Sequence, residues 1–278
     1  MITIQEQDND FICDVNAPCF HLLAGAELDL VRESKTQVLF RKGENLTKQG
    51  TFASYILFIV KGMAKQHLEE GDKNFNLRLV KEGEFVGLST VFGKNTFNYT
   101  TIALTETQAF LVEKQTIEKL IQTNGQFAYN IIRKYCGQNQ MLFGSIRNLM
   151  YKQMNGRLAG ALLYLSSDEF SDYDLFSHLT RKEIGDFAGI STENTVKLLK
   201  SLERDGILKL EEKRISLPML ESALAAGRTR VAAEDGALPA DYAESLAYVE
   251  ELRAANQLTP QVLARFLRSG GQTAFLIA

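Results

Sequence analysis

Apolar and polar positions change their period several times along the chain. Up to about Ser34 the pattern reads as mainly helical: in AGAELDLVRES, acidic residues follow Gly25, and Leu28 and Val31 fall at helical spacing. From about Thr36 to Glu113 the period shortens. VLF, YILFIV, FNLRLV, TTIAL and QAFLV are short, rich in β-branched or aromatic residues, and separated by glycine in RKGE, KQGT, VKGM, EEGD and KEGEF. Many short strands between glycine turns predict a β-sandwich or barrel. From about Lys114 to Leu165 the helical period returns. Phe127, Ile131, Tyr135, Gln138, Leu142, Ile146 and Leu149 recur every three or four residues, a stripe suited to a long helix pairing with its symmetry mate. Packing of that helix on its own β-domain is the alternative.

The stretch from Asp174 to Leu217 is a small helical unit with clear end signals. Thr180 and Glu183 form a T-x-x-E capping box ahead of the apolar positions Ile184, Phe187 and Ala188. Gly189 ends that helix in a tight turn, and Ile190 fills the gap behind it. Ser191 caps a second helix whose buried face is Val196, Leu199 and Leu202. Thr192, Glu193, Asn194 and Lys197 then point away from the core at the end of the helix that reaches base edges in a major groove. Glutamate suits a cytosine amino group, lysine a guanine and asparagine an adenine. Arg181, Lys182 and Lys200 are placed for phosphates, which position a protein without specifying sequence. After Gly206, ILKLEEKRISL alternates about Glu211 and Glu212, as in a two-stranded wing. The whole predicts a winged helix-turn-helix from Thr180 to Leu217.

Composition adds limits. The chain has 278 residues, 45% of them hydrophobic and 23% charged, enough for two cored domains and an appendage. Its net charge of −3 gives no global attraction for nucleic acid, so any DNA affinity has to come from a local surface. No apolar run reaches the roughly 20 residues of a membrane helix, and the polar, acidic start MITIQEQDND is unlike a secretory signal; the expected location is the cytoplasm, with no membrane partner. Three cysteines, Cys13, Cys19 and Cys136, do not suggest a disulfide framework; reduced thiols are expected, with Cys136 packed in a helix. His67 and His178 have no ligand-spaced partner and read as surface or packing residues. No metal or cofactor is expected. No nucleophile–base pair is visible, so an enzyme is not expected.

The order of β-domain, long helix and winged helix-turn-helix resembles the Crp/Fnr family of homodimeric transcription regulators over about Phe11 to Leu217, most specifically in TRKEIGDFAGISTENTVKLLKSLERDGIL. KGENLTKQG, IVKGMAK and GEFVGL match the glycine pattern of its cyclic-nucleotide-binding β-roll, and the likeness is greatest to members from the Bacteroidetes. The resemblance implies that Glu193 contacts bases and that Lys197 replaces a second base-reading arginine. Thr192 stands where the catabolite-activator branch has another arginine, so a different operator is expected. It places Ser191, Arg181 and Lys200 at the DNA backbone. RNA polymerase and an unidentified small-molecule effector are the further partners it implies.

Cyclic-AMP-binding members carry an acid for the ribose and an arginine for the cyclic phosphate. Here GLSTVFGKNTFNYTT puts Leu88 at the acid position and Asn98 at or near the arginine position. A buried phosphate without a cation is costly, so a cyclic nucleotide is not the expected ligand. The effector pocket is expected at Gly87, Leu88, Ser89, Asn98 and Thr100. Oxygen-sensing relatives carry an N-terminal cysteine cluster, but a cubane needs four thiolates, which Cys13, Cys19 and Cys136 do not supply.

Composition shifts again near Met219 to Gly227: Lys213 is the last lysine and alanine becomes dense. In this tail LPADYAESLAYVEELRAANQL reads as a helix with Tyr242, Leu246, Val249 and Leu252 on its apolar face. LTPQVLARFLRSGG reads as a second, capped by Thr259, with Pro260 in its first turn and Gly270 at its end. No function is assigned to it.

The expected fold class is therefore α+β. A β-roll occupies residues 1–125, dimerisation and linker helices 126–165, the winged helix-turn-helix 166–218 and a helical extension 219–278. The expected function is a sequence-specific DNA-binding regulator acting as a homodimer on an inverted repeat and not responsive to cyclic AMP. The alternative is a metabolite- or redox-sensing module whose helix-turn-helix contacts protein.

Overall fold

The computed structural model describes residues 1–5, 8, 20–211, 214–216, 242–255, 257, 259, 261–262 and 265. Cys13, Cys19, the wing tip at Glu212 and Lys213, the junction from Met219 to Gly227, and Pro260 and Gly270 of the tail lie outside these residues. The chain divides into two units, Met1–Arg147 and Asn148–Ala278.

In the first unit the expected short strands form two antiparallel sheets. Strands β1 (Ile2–Ile4), β2 (Lys35–Phe40), β9 (Thr107–Glu113), β4 (Tyr55–Lys61) and β7 (Phe85–Val86) lie in that order in one sheet. Strands β3 (Asn45–Thr47), β8 (Thr100–Ala103), β5 (Met63–Glu70) and β6 (Lys73–Lys81) make the other. Strand β1 departs from the helical reading of the first stretch. It is an edge strand of three residues, paired Ile2 to Leu39 and Ile4 to Gln37, too short for alternation to announce it.

The period-2 pattern of β4 explains the layering. Leu57 and Ile59 face inward with Ala64, Val80 and Ala103 of the second sheet. Ile56 and Phe58 face the opposite way, onto helices α1 (Ala26–Ser34), α3 (Lys114–Thr123) and α4 (Gly125–Tyr151) through Val31, Ile117, Leu120, Phe127 and Ile131. Phe20 and Phe85 each meet Phe58 edge-on at 5.0 Å, the geometry that aromatic quadrupoles favour.

The long helical stretch is broken into α3, α4 and α5 (Met154–Leu165). Asn124 ends one and starts the next. Its Oδ1 accepts from Phe127 N at 2.9 Å, as a cap does, and its Nδ2 donates to Glu27 Oε2 at 2.9 Å. This cap fixes the rotation of α4. Phe127 and Ile131, expected at a dimer interface, are instead 0% and 3% exposed in the core of their own β-domain. Helical period alone does not distinguish two adjacent apolar faces of one helix. Ile132, Tyr135, Leu142 and Ile146 are exposed; Leu149 is half-buried. Cys136 is also exposed rather than packed.

The second unit begins within α4. Helix α5 packs on α7 (Arg181–Ala188) and α8 (Thr192–Arg204). Leu158, Leu162, Leu165, Phe170, Ile184, Leu199 and Leu202 are buried, and Tyr164 lies 5.9 Å from the Phe187 ring. A 3-10 turn at Asp168–Phe170 and a short helix α6 (Leu175–His178) lead into α7. Strands β10 (Lys209–Glu211) and β11 (Arg214–Ser216) pair antiparallel, Leu210 opposite Ile215, as the wing. In the tail, helix α9 (Tyr242–Ala254) buries Val249 and Leu252, and Val262 N donates to Thr259 Oγ1 at 3.4 Å. No described helix is long and apolar enough to cross a membrane.

Candidate nucleic-acid interface

The capping box forms as the sequence requires. Thr180 Oγ1 accepts from Glu183 N at 3.2 Å, and Glu183 Oε2 accepts from Thr180 N at 2.8 Å. A cap of this kind is worth about 1 kcal/mol and fixes where α7 starts. Gly189 ends α7 at φ 61 and ψ 40, a left-handed conformation that glycine adopts without a Cβ penalty. Arg157 Nη1 of α5 donates to its carbonyl at 3.3 Å, holding the turn from behind. Ser191 Oγ then accepts from Asn194 N at 3.3 Å and starts α8.

Gly185 makes the close approach of the two helices possible. A Cβ there would stand 2.3 Å from Thr195 Oγ1 and 3.0 Å from the Ile190 carbonyl. Thr195 is fully buried and spends its hydroxyl on Ser191 O at 2.9 Å.

Held this way, α8 presents its first turns outward. Ser191, Thr192, Glu193, Lys197 and Lys200 are exposed; Asn194 is half-buried and donates to Met154 Sδ at 3.5 Å. Glu193 Oε1 and Lys197 Nζ pair with each other at 2.8 Å. Both are well exposed, so such a pair is worth little and is readily exchanged for other partners. Lys182 is exposed and pairs with Asp186 at 2.8 Å. Arg181 is half-buried; burial pulls its guanidinium below the usual arginine range, and Glu203 nearby opposes that shift. Six of these eight side chains are thus exposed, Arg181 and Asn194 are half-buried, and Asn194 carries a weak tether. The wing is fastened to α8 by Leu210 N donating to Glu203 Oε1 at 2.9 Å.

The expected effector residues differ in their surroundings. Leu88 is buried on the helix side of the first sheet, in the same core as Phe58 and Phe127. Asn98 is exposed and Ser89 half-buried. Thr100 is buried, its Oγ1 accepting from Gln49 N at 3.0 Å and also bonding Glu69, whose carboxyl it holds below the ordinary value. Gly87 donates its N–H to the Tyr99 hydroxyl at 3.1 Å. Motif alignment assigned positions, but facing within a strand or turn is a local matter that alignment does not carry.

Arg78, not singled out from the sequence, is a buried cation of the roll, as is Lys65. Its Nε donates to Gln66 Oε1 at 2.8 Å, and its Nη1 donates to Leu79 O and to Glu84 Oε2. The available signal was alternation in FNLRLV, which puts Arg78 on the face of the inward Val80. His67 is buried, with Nε2 at 3.2 Å from Glu69. Among the described residues no cluster of three metal-ligating side chains occurs.

A β-roll followed by a capped, winged helix-turn-helix defines a DNA-binding transcription regulator. Residues 37–124 match the family model of the cyclic nucleotide-binding domain, and residues 156–222 that of the Crp-like helix-turn-helix domain. The chain is 26% identical over 179 residues to the cAMP-activated global transcriptional regulator CRP of Salmonella typhimurium, covering 61% of this chain and 83% of that protein. It is 22% identical over 197 residues to the anaerobic regulatory protein of Bacillus subtilis, covering 69% and 83%. Among solved structures, the c-di-GMP responsive regulator CLP of Xanthomonas campestris shares the fold at a TM-score of 0.61 and 20% identity, over 69% of this chain and 97% of that one. FixK2 of Bradyrhizobium japonicum does so at 0.57 and 21%, over 68% and 96%. The chain belongs to the Crp/Fnr family, whose members are DNA-binding regulators rather than enzymes.

Proposed function

We propose that the protein is a homodimeric, sequence-specific regulator that acts in the cytoplasm, binds an inverted repeat and does not respond to cyclic AMP. The observation that carries this is the exposed N-terminal end of α8, with Thr192, Glu193 and Lys197 free of cover beside the phosphate-seeking Ser191 and Lys200. In this reading Thr192, Glu193, Asn194 and Lys197 read bases, and Arg181, Lys182, Ser191 and Lys200 hold the backbone. Residues 1–125 act as the effector domain, 126–165 join the subunits and 166–218 read DNA; 219–278 have no assigned role. Two copies of α8 related by a two-fold axis require half-sites about one helical turn apart.

Fragments selected from random duplex DNA are expected to show dyad symmetry. On the selected operator, Glu193→Ala relaxes specificity at one position per half-site, by roughly 1–3 kcal/mol against the preferred base. Lys200→Ala weakens all duplexes alike and lowers the salt slope by about one unit for each contact removed. A gel-shift series over operator variants and salt separates the two; uniform weakening by Glu193→Ala, or selected DNA without a dyad, rejects the assignment.

Two features support cyclic-AMP independence: Leu88 is packed in the helix-side core and Asn98 faces out, so neither meets a ribose hydroxyl or cyclic phosphate. Calorimetric titration with cyclic AMP and cyclic GMP is expected to show no binding at physiological concentrations. A micromolar dissociation constant for either overturns this part of the reading.

A further inference from the structure

The interior of the β-roll gathers hydrogen-bond donors around a partly buried ion pair. Arg78 lies on β6 with its cross-strand partner Gln66 on β5, both buried. Gln66 gives its oxygen to Arg78 Nε at 2.8 Å, which turns its amide nitrogen the other way. That nitrogen is buried, makes no hydrogen bond of good geometry, and is directed toward the Tyr99 hydroxyl. Tyr99 accepts from Gly87 N, and burial keeps its phenol protonated by raising its pKa, so its O–H remains a donor. Arg78 uses Nε and Nη1; its Nη2 has no acceptor among the described residues. Arg78, Gln66 and Tyr99 thus gather N–H and O–H donors in one locality, and of these Gln66 Nε2 is buried without a well-formed bond, which costs free energy.

One acceptor is already present. Glu84 puts a carboxylate on Arg78 Nη1, and the two side chains are 10% and 20% exposed, so the pair has an edge on solvent. Arg78 brings one positive charge and Glu84 cancels it. A second anion added beside them leaves a net negative charge in a poorly solvated interior, and a dianion leaves two. The ligand that fits is one that replaces Glu84: a single planar carboxylate, which matches the guanidinium fork in two hydrogen bonds.

We propose that Arg78, Gln66 and Tyr99 form a binding site for a small monocarboxylate, and that Glu84 occupies its place in the unliganded protein. The proposal deepens the reading of the β-roll as effector domain and rests on it. Glu84 follows Gly83, whose carbonyl accepts from Lys134 Nζ of α4 at 2.6 Å. Release of Glu84 from Arg78 therefore loosens a turn that is tied directly to α4.

The full-length protein is titrated calorimetrically with acetate, propanoate, pyruvate and benzoate, with inorganic phosphate and cyclic AMP as comparisons. At least one monocarboxylate is expected to saturate at one per chain, while phosphate does not. Arg78→Gln is expected to weaken that binding about tenfold or more, and Tyr99→Phe several-fold, as loss of a charged and a neutral donor requires. Glu84→Gln is expected to tighten it, because the competing carboxylate is gone; a merely structural ion pair gives no such gain. If Arg78→Gln does not fold, Glu84→Gln and Tyr99→Phe still decide the sign. Absence of saturation by every monocarboxylate in both the wild type and Glu84→Gln overturns the proposal, as does equal binding by all variants or saturation by cyclic AMP or phosphate alone. Operator binding is measured on the same samples. Retained DNA binding without carboxylate binding removes this inference alone, and loss of operator recognition in the wild type removes the regulator reading.

Discussion

Leu142→Asp and Ile146→Asp are each expected to give monomers in sedimentation at concentrations where the wild type is a dimer. Both side chains are exposed in the single chain, at 41% and 44%, and lie on the face of α4 that also carries Ile132 and Tyr135. A parallel helix pair buries that face, and the two-fold axis places each substitution in the interface twice. A buried charge without a partner costs about 3–5 kcal/mol, so two copies shift the dimer dissociation constant by more than about a thousandfold. Operator affinity falls with it, since one recognition helix then binds without its mate. Phe127→Ala has a different signature. Phe127 sits in its own β-domain, so its truncation appears first in thermal unfolding, at about 3–5 kcal/mol, rather than in assembly. Unchanged dimers in both aspartate variants rule out this face as the interface.

Gly185→Ala is expected to destabilise the helix-turn-helix by about 1–3 kcal/mol, the usual cost of overpacking a close contact. The new methyl group meets Thr195 Oγ1 at 2.3 Å. Thr195 is β-branched, fully buried and hydrogen-bonded to Ser191 O, so it has little freedom to step aside. The strain is relieved by prising α8 from α7, which moves the outward residues of α8 relative to the wing. DNA affinity therefore drops by more than stability alone accounts for. Thr195→Ala in the same chain removes the clashing oxygen and is expected to recover part of both losses. Calorimetric unfolding and gel shift on the single and double variants check this. A Gly185→Ala protein as stable as the wild type, or a double variant no better than the single, contradicts the account.

The recognition unit was the most legible part of the chain because its signals are local. A threonine three residues before a glutamate, a glycine at a helix end and a serine at the next start each specify backbone geometry within one turn. The two sheets were legible as strands but not as an order, since pairing depends on contacts remote in sequence. Phe127 and Ile131 show where periodicity fails. Moving one residue along the helix, from Ile131 to Ile132, changes the side chain's destination from the domain core to the exposed face. Which set goes where is decided by the Asn124 cap and the complementary surface of Phe20 and Phe58, neither visible in a stripe count. The surroundings of the effector residues were hidden for a related reason. Leu88 and Asn98 were placed by motif, whereas their surroundings are set by β7 entering the helix-side core and by a loop turning outward. Arg78 escaped notice because one cation within an apolar strand reads as a solvated position.

The anchoring of α4 also limits how this protein is able to change shape. With Phe127 and Ile131 seated in the core, axial rotation of the helix uncovers two large side chains and is costly. Gly137 and Gly144 follow, and a Cβ at either would meet nothing within 4 Å. Each glycine weakens the helix by about 1 kcal/mol relative to alanine, with no packing gain to offset it. The stiff end of the lever is thus bolted to the roll and its compliance lies farther along. In the proposed dimer, bending of α4 beyond the roll therefore costs less than its axial rotation.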